Sequence, residues 1–252
     1  MMTSPRLAEV RPFASSVSCL GDPTLSDRVV LMTGSTLFSG LSQAECRDIA
    51  LCARPRLFAR DELLFMQGQP IKSLVLIEAG SVKLTQLSPG GSEVILWMNG
   101  KGEAVGVQAD AVSGSHTCSA RAMEKSKALV WEYSRLQSVL TEHPQIRKNI
   151  NQILSNRLQE LEERFREIAT ERVAKRLALT LLRLMRQVGR EQHGGIQISL
   201  SREELAQMTG TTLFTISRIL SKWSEDGFIE PRRESVVIRD SQRLERQVDI
   251  EL

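Results

Sequence analysis

The sequence lacks the segments that mark membrane and secreted proteins. No apolar run approaches the ~20 residues needed to span a bilayer. Arg6 and Arg11 are not followed by an apolar block with a small-residue cleavage site. Four cysteines among 252 residues are scattered without a CxxC pair, which excludes a disulfide framework and a zinc ribbon. We therefore expect a cytoplasmic protein with no membrane partner.

Histidine and net charge are also scarce. The three histidines, His116, His143 and His193, lie in separate segments, so the cluster that is typical of a metal enzyme is missing. No P-loop, GxGxxG or Ser-His-Asp signature is visible either. The net charge is +3, and charge balance alone does not indicate nucleic acid. These absences predict a protein that is not an enzyme and that holds no metal.

Short apolar runs separated by glycine-containing turns fill the part of the chain after residue 36. Leu74–Ile77 and Val94–Trp97 are two such runs, on either side of a turn at Ser88–Gly91. Strands this short, at this spacing, are typical of an antiparallel β-roll of the cupin-like, jelly-roll kind. We assign residues 1–34 to an N-terminal arm or short helix and residues 35–142 to the β-roll.

A long helix is predicted to begin at His143-Pro144, because proline suits the first turn of a helix. Five apolar residues at steps of 4, 3, 4 and 3 form a narrow stripe flanked by charge, namely Leu154, Leu158, Leu161, Phe165 and Ile168. A narrow heptad stripe is typical of contact with a partner helix. We predict that residues 143–170 form the dimerisation helix of a homodimer; the alternative is that the stripe packs on the chain's own β-roll.

The rest of the chain has the spacing of a helix-turn-helix. Ser201 and Glu204 form the pattern of a capping box at the start of a helix. Gly210 supplies a turn before a second helix, and a hairpin over residues 227–238 follows as a wing. The predicted domains are a winged helix-turn-helix over residues 171–240 and a C-terminal tail over residues 241–252.

The second helix of this motif has an outward face that suits DNA. Phe214, Ser217, Arg218 and Ser221 are spaced i, i+3, i+4 and i+7, so they share one face of the helix. A helix with such a face can enter the major groove. The alternative is a helical hairpin that binds no nucleic acid.

With these elements, the chain resembles the CRP/FNR family of bacterial transcription regulators over about residues 35–240. The resemblance depends on the β-roll with its Gly80 and Gly102 turns, on the long helix, and on the run Thr215–Leu220. It implies an α+β protein that binds a two-fold symmetric operator as a homodimer and that recruits or blocks RNA polymerase. It also implies that an effector or redox signal in the β-roll sets the affinity for double-stranded DNA.

The resemblance assigns roles to the second helix. In the family the position of Arg218 meets a guanine, to which the guanidinium can donate twice. Phe214 stands where members usually carry glutamate, and Leu213 replaces a polar or basic reader. Phenylalanine can pack on a thymine methyl group, so we expect the half-site to differ from that of the family at the base pairs near Phe214, towards A·T. The alternative is that the Phe214 ring folds into the domain core. The predicted DNA-binding residues are Arg202, Thr212, Leu213, Phe214, Ser217, Arg218, Ser221 and Lys222, with Arg202, Thr212 and Lys222 as phosphate anchors.

The cyclic AMP contacts of the family have no counterpart in this sequence. Val107 follows Gly106 where a ribose-binding glutamate is expected, and no arginine precedes Thr117 to neutralise the cyclic phosphate. Leu161 and Glu162 stand where the family places hydroxyl groups against adenine. We therefore expect that cyclic AMP is not the effector.

The other cofactors of the family are also constrained. Only Cys19 precedes the β-roll, so the N-terminal cysteine cluster that holds a [4Fe–4S] centre is missing. Haem stays open as a cofactor. Cys118 is either a reactive thiol or metal or haem ligand, or a small core residue beside a surface imidazole. The candidate effector-pocket residues are Val107, His116, Thr117, Cys118 and Asn151.

A second class of function stays open at this point. The chain could be a cupin-like metal-binding or enzymatic β-roll whose helical domain serves interaction only. A regulator shifts a promoter fragment in a gel without turnover, whereas a cupin binds a transition metal stoichiometrically.

Overall fold

The computed structural model describes residues 24–107, 114–192 and 194–249 of the chain. Cys19 and His193, which the sequence singled out, lie outside the described residues.

The described part of the predicted N-terminal arm is helical. Helix α1 (Leu25–Thr33) begins at a capping box in which Thr24 and Asp27 bond to each other's backbone N–H groups. Helix α2 (Gln43–Leu51) begins in the same way at Ser42. Both helices bury apolar residues against the β-roll that follows.

The predicted antiparallel β-roll is confirmed. Its strands within the described residues are β1 (Arg54–Phe58), β2 (Leu63–Phe65), β3 (Ser73–Ala79), β4 (Val82–Leu87), β5 (Glu93–Asn99), β6 (Ala104–Val105), β7 (Ser119–Ala122) and β8 (Ser126–Glu132). They form two four-stranded sheets, in the orders β1-β8-β3-β6 and β2-β7-β4-β5. Side chains from both sheets, among them Phe58, Val75 and Leu84, share one apolar core.

The long helix is also confirmed. Helix α3 (Tyr133–Glu142) ends before Pro144, and Pro144 occupies the first turn of α4 (Pro144–Thr170). The first turns of α4 bury Ile146 and Ile150 in a core that includes Trp131. These apolar contacts anchor the beginning of α4 on its own β-roll.

The C-terminal part is a winged helix-turn-helix, as the sequence predicted. Its elements are α5 (Val173–Val188), β9 (Arg190–Gln192), β10 (Gly195–Ile198), α6 (Arg202–Thr209), α7 (Leu213–Glu225), β11 (Ile229–Pro231) and β12 (Val236–Ile238). The strands form an antiparallel sheet in the order β11-β12-β10-β9. The β11–β12 hairpin is the wing.

The segment predicted as a C-terminal tail is a helix over its described part. Helix α8 (Ser241–Asp249) packs on α5 and buries Leu244 in the core of the DNA-binding domain, with Val248 at the edge of that core. Leu244 and Val248 are one helical turn apart and therefore face the same side. Two apolar residues in a charged segment are too few to predict this helix from periodicity.

The β-roll and the C-terminal part share apolar packing. Ile95 and Met98 of β5 are buried in the same cluster as Leu181, Leu184 and Met208 of the helix-turn-helix domain. Strand β5 therefore belongs to the sheet of one domain and to the core of the other. This packing sets where the helix-turn-helix lies relative to the β-roll.

Candidate nucleic-acid interface

The predicted capping box at the start of α6 is present. The Ser201 side chain accepts from the backbone N–H of Glu204 at 3.2 Å, and the Glu204 carboxylate accepts from the backbone N–H of Ser201 at 2.9 Å. The same carboxylate accepts from Lys83 Nζ of β4 at 2.8 Å, in a pair that is largely shielded from solvent. Burial would raise the pKa of Glu204, but Lys83 and Ser201 hold this pKa below its ordinary value. The contact with Lys83 was not foreseen from the sequence.

The turn between α6 and α7 has the geometry that a helix-turn-helix needs. Gly210 ends α6 with φ +61° and ψ +46°, in the left-handed region that favours glycine. Thr212 then caps α7 by accepting from the backbone N–H of Thr215 at 3.2 Å. The two caps fix where α7 begins and which of its faces turns outward.

Helix α7 has one buried and one exposed face. Ile216, Leu220 and Trp223 are buried in the domain core. The opposite face carries Arg218 and Ser221, which are exposed, and Ser217, which is partly exposed. We find no hydrogen bond or ion pair from Arg218 to any described residue. Its guanidinium donors are therefore available to a partner outside the chain.

Phe214 and Leu213 are unusually exposed for apolar residues. Phe214 is 77% exposed and Leu213 is 50% exposed. The alternative that the Phe214 ring folds into the domain core is therefore wrong for this structure. Two large apolar side chains at the start of α7 face solvent, where a groove of DNA could cover them.

The predicted phosphate anchors lie on α6 and at the two ends of α7. Lys222 is exposed on α7, and Thr212 is exposed at its first turn. Arg202 is partly buried at the start of α6, and its Nε has no hydrogen-bond partner among the described residues. Arg232 and Arg233, between the two strands of the wing, were not foreseen; Arg233 is exposed, whereas the Arg232 guanidinium donates to Glu230 at 2.9 Å and to Gln192 at 3.1 Å. Two consecutive arginines in a wing are the signal that could have identified them.

The apolar stripe of α4 is largely uncovered within one chain. Phe165 is 75% exposed and Leu158 is 59% exposed, and Leu161 and Ile168 are exposed as well. Leu154 is partly buried beside the core at the beginning of the helix. The alternative that the whole stripe packs on the chain's own β-roll is therefore wrong for four of its five residues.

The candidate effector-pocket residues divide into buried and exposed positions. Val107 is buried, and His116 is 4% exposed, with its ring stacked 3.7 Å from that of Phe65. The expectation of a surface imidazole is therefore wrong, because the Phe65 ring covers it. Burial lowers the pKa of His116 and therefore favours the neutral imidazole. Thr117 is exposed, and so is Asn151 on α4.

An α4 residue that the sequence analysis missed reaches the β-roll instead. Arg157 Nη2 donates to the backbone carbonyl of Ala104 in β6 at 3.1 Å. The Arg157 guanidinium lies near enough to Glu103 and Cys118 to lower the pKa of each, although burial dominates and raises both values. No local sequence pattern pairs residues so far apart in the chain.

Cys118 has the environment of an unreactive thiol. Because burial raises its pKa, we expect iodoacetamide to modify Cys118 more slowly in the native protein than in the urea-unfolded chain at neutral pH. Peptide mass spectrometry would measure both rates. Faster modification in the native protein would instead identify a reactive thiolate.

Two wider properties of the described residues bear on the class of protein. No group of three or more His, Cys, Asp or Glu side chains among them could hold a metal ion. None of the described helices is both long and apolar enough to cross a membrane.

Comparison with known proteins gives the same two-part organisation. Residues 55–143 match the cyclic nucleotide-binding domain, and residues 175–247 match the Crp-like helix-turn-helix domain. The chain is 30% identical over 215 residues to the cyclic AMP receptor protein of Thermus thermophilus, covering 85% of this chain and 97% of that one. It is 26% identical over 223 residues to the CRP-like cAMP-activated global transcriptional regulator of Mycobacterium tuberculosis, covering 88% of this chain and 99% of that one.

A solved structure shows the same fold. FixK2 from Bradyrhizobium japonicum superposes with a TM-score of 0.68 at 22% identity, covering 79% of this chain and 99% of that one.

Proposed function

Because the chain belongs to the CRP/FNR family of transcription regulators, we propose that it binds, as a homodimer, a DNA operator made of two symmetric half-sites. The observation that carries this proposal is the outward face of α7, which presents Arg218, Ser217 and Phe214 to solvent. The buried face of the same helix fixes its orientation in the domain. A helix held in this way can present its outward face to the major groove.

The dimer is supported by the stripe on α4. Four exposed apolar residues on one face of a helix lose water contact when a second copy covers them, which is favourable by roughly 25 cal/mol per Å² of buried apolar surface. A two-fold axis along this stripe relates two identical α7 helices, so each would read one half of a symmetric site.

The composition of the α7 face predicts what each half-site contains. Arg218 can donate to guanine O6 and N7 together, whereas Phe214 can only make apolar contact, for which the thymine methyl is the partner in the major groove. We propose a guanine opposite Arg218 and A·T base pairs near Phe214 and Leu213. Thr212, Lys222 and Arg202 bind phosphates and fix the register without reading bases.

Selection of binding sites from random duplex DNA tests the proposed function. We expect the wild-type protein to enrich a two-fold symmetric sequence with one guanine in each half-site. No enriched sequence, or enrichment of an asymmetric site, would overturn the proposal. If the selected half-site instead carries the cytosine that the family's glutamate reads at the position of Phe214, the role given to Phe214 is wrong.

Among the described residues of the β-roll, those at the family's cyclic AMP positions do not suit this ligand. The Val107 side chain offers no acceptor to a ribose hydroxyl. His116 is buried and stacked on Phe65, and burial lowers its pKa, so it is poorly suited to neutralise a phosphate. We expect cyclic AMP and cyclic GMP to give no calorimetric signal of micromolar binding and no gain in operator affinity. Micromolar affinity together with stronger DNA binding would contradict this expectation.

We propose further that the bound dimer acts in the cytoplasm by recruiting or blocking RNA polymerase, and that a signal other than a cyclic nucleotide acts through the β-roll. The names of the relatives from Thermus thermophilus and Mycobacterium tuberculosis support the regulatory role. Transcription in vitro from a template with a selected operator, with and without the protein, would show whether transcript yield rises or falls. An unchanged yield at every position of the operator would refute the proposed action on RNA polymerase.

A further inference from the structure

The face of α4 that turns inward carries charged residues. Arg157, Glu160, Arg164 and Glu167 follow one another at steps of 3, 4 and 3 residues, and none of them is exposed. This spacing places them along one side of the helix, beside the apolar stripe. Charged side chains that are withdrawn from solvent need partners, since an unpaired buried charge is costly. Their partners lie in both domains of the chain.

Arg164 binds the β-roll. Its Nη1 donates to the backbone carbonyl of Leu96, and its Nη2 donates to that of Ile95 at 3.3 Å. The guanidinium also lies 5.7 Å from the centre of the Trp97 ring. One planar side chain on α4 thus holds three consecutive residues of β5, an arrangement that a lysine ammonium cannot reproduce.

Glu167, one turn further along α4, binds the DNA-binding domain. Its two carboxylate oxygens accept from Nη1 and Nη2 of Arg183 on α5 at 2.6 and 2.8 Å. The Glu167 side chain is only 6% exposed and that of Arg183 is 20% exposed. Paired charges in fork geometry, shielded from water, fix the relative position of the two helices.

Strand β5 closes the junction from the third side. Ile95 and Met98 enter the core of the DNA-binding domain, as described above. The turn after β5 approaches α5 so closely that a Cβ on Gly100 would lie 2.6 Å from the backbone oxygen of Gln187. The orientation of the DNA-binding domain on α4 is therefore set by β5 and by Glu167, whereas Glu171 and Arg172 alone connect the two helices along the chain.

We propose that Arg164 is a positioning residue that sets the spacing between half-sites which the dimer accepts. This inference rests on the proposed function, because it requires a dimer that reads two half-sites. The two-fold axis lies on α4, and the reading helix α7 belongs to the domain that β5 holds. By fixing β5 to α4, Arg164 fixes the separation of the two α7 helices, and half-site spacing follows that separation.

The test compares operators whose half-sites stand at the selected spacing with operators in which one base pair has been inserted or removed. Wild-type protein is expected to discriminate strongly between these spacings. Arg164→Gln is expected to lower this discrimination at least about fivefold, at the low end of coupling between distinct sites. Affinity for a single half-site should stay within about twofold, because the reading face of α7 is unchanged and surface contacts change little.

Matched variants separate positioning from loss of fold. Arg166→Gln changes an exposed arginine on the same helix, whose ion pair with Glu171 at 3.8 Å is weak, and should keep wild-type discrimination. Arg164→Lys keeps the charge but not the fork, and should lose part of the discrimination. Thermal melting and sedimentation of each variant establish that it is folded and dimeric.

Three results would overturn the inference. The first is that Arg164→Gln and Arg164→Lys both discriminate between spacings as strongly as the wild-type protein. The second is that the affinity of Arg164→Gln for DNA falls equally at every spacing and at the single half-site, which would indicate a merely structural role. Wild-type protein that binds no spacing at all would refute the proposed function and the inference with it.

Discussion

Replacing both Leu158 and Leu161 with glutamate is expected to convert the dimer into a monomer and to remove operator binding. The substitutions would place four carboxylates in an apolar contact between two helices, where unpaired charge is strongly unfavourable. A monomer loses the advantage of engaging two half-sites at once, which corresponds to about 10²–10⁴-fold in affinity. Light scattering measures the mass, and fluorescence anisotropy with a labelled operator measures the affinity.

A matched control uses the same helix and the same added charge. Gln152 and Gln159 are exposed on α4 outside the apolar stripe, so Gln152→Glu with Gln159→Glu should leave both mass and affinity near those of wild type. If the Leu158 and Leu161 double variant stays dimeric and binds its operator normally, the assignment of the stripe to the dimer contact is wrong.

Replacement of Arg218 with alanine is expected to cost about 1–3 kcal/mol on the selected operator and to relax the preference at one base pair of each half-site. This cost is expected because Arg218 is the residue on α7 whose guanidinium can donate two hydrogen bonds to one guanine. Competition binding with operators that carry each of the four bases at that position would measure the change. Retention of the wild-type base preference would contradict the role of Arg218.

Lys222→Ala is expected to differ from Arg218→Ala by leaving the base preference unchanged. An exposed lysine that binds phosphate contributes alike to every sequence, so the variant should weaken all operators uniformly. The slope of log affinity against log salt should become shallower by about one. A change of base preference in Lys222→Ala would show that this lysine also reads bases.

The fold was predictable where it depends on local patterns. Ser201, Glu204 and Gly210 encode caps and a turn through their own side chains or backbone freedom, so their roles can be read from the sequence. The stripe from Leu154 to Ile168 was readable for the same reason, because periodicity reports a helix face.

The contacts between domains could not be read in this way. Arg164 and Lys83 are single charged residues in segments where charge is ordinary, and their partners lie on strands or helices far away in the chain. The burial of His116 depends on the Phe65 ring from strand β2, far away in the chain. Such pairings are decided by tertiary packing, which one sequence without its relatives does not display.

Two chains joined through α4 are expected to occupy one symmetric operator. Sedimentation velocity of the wild-type protein with a selected operator measures the mass of the complex most directly. We expect two chains per duplex, and a duplex with one half-site scrambled should bind far more weakly. One chain per duplex, or equal affinity for the intact and the scrambled operator, would contradict it.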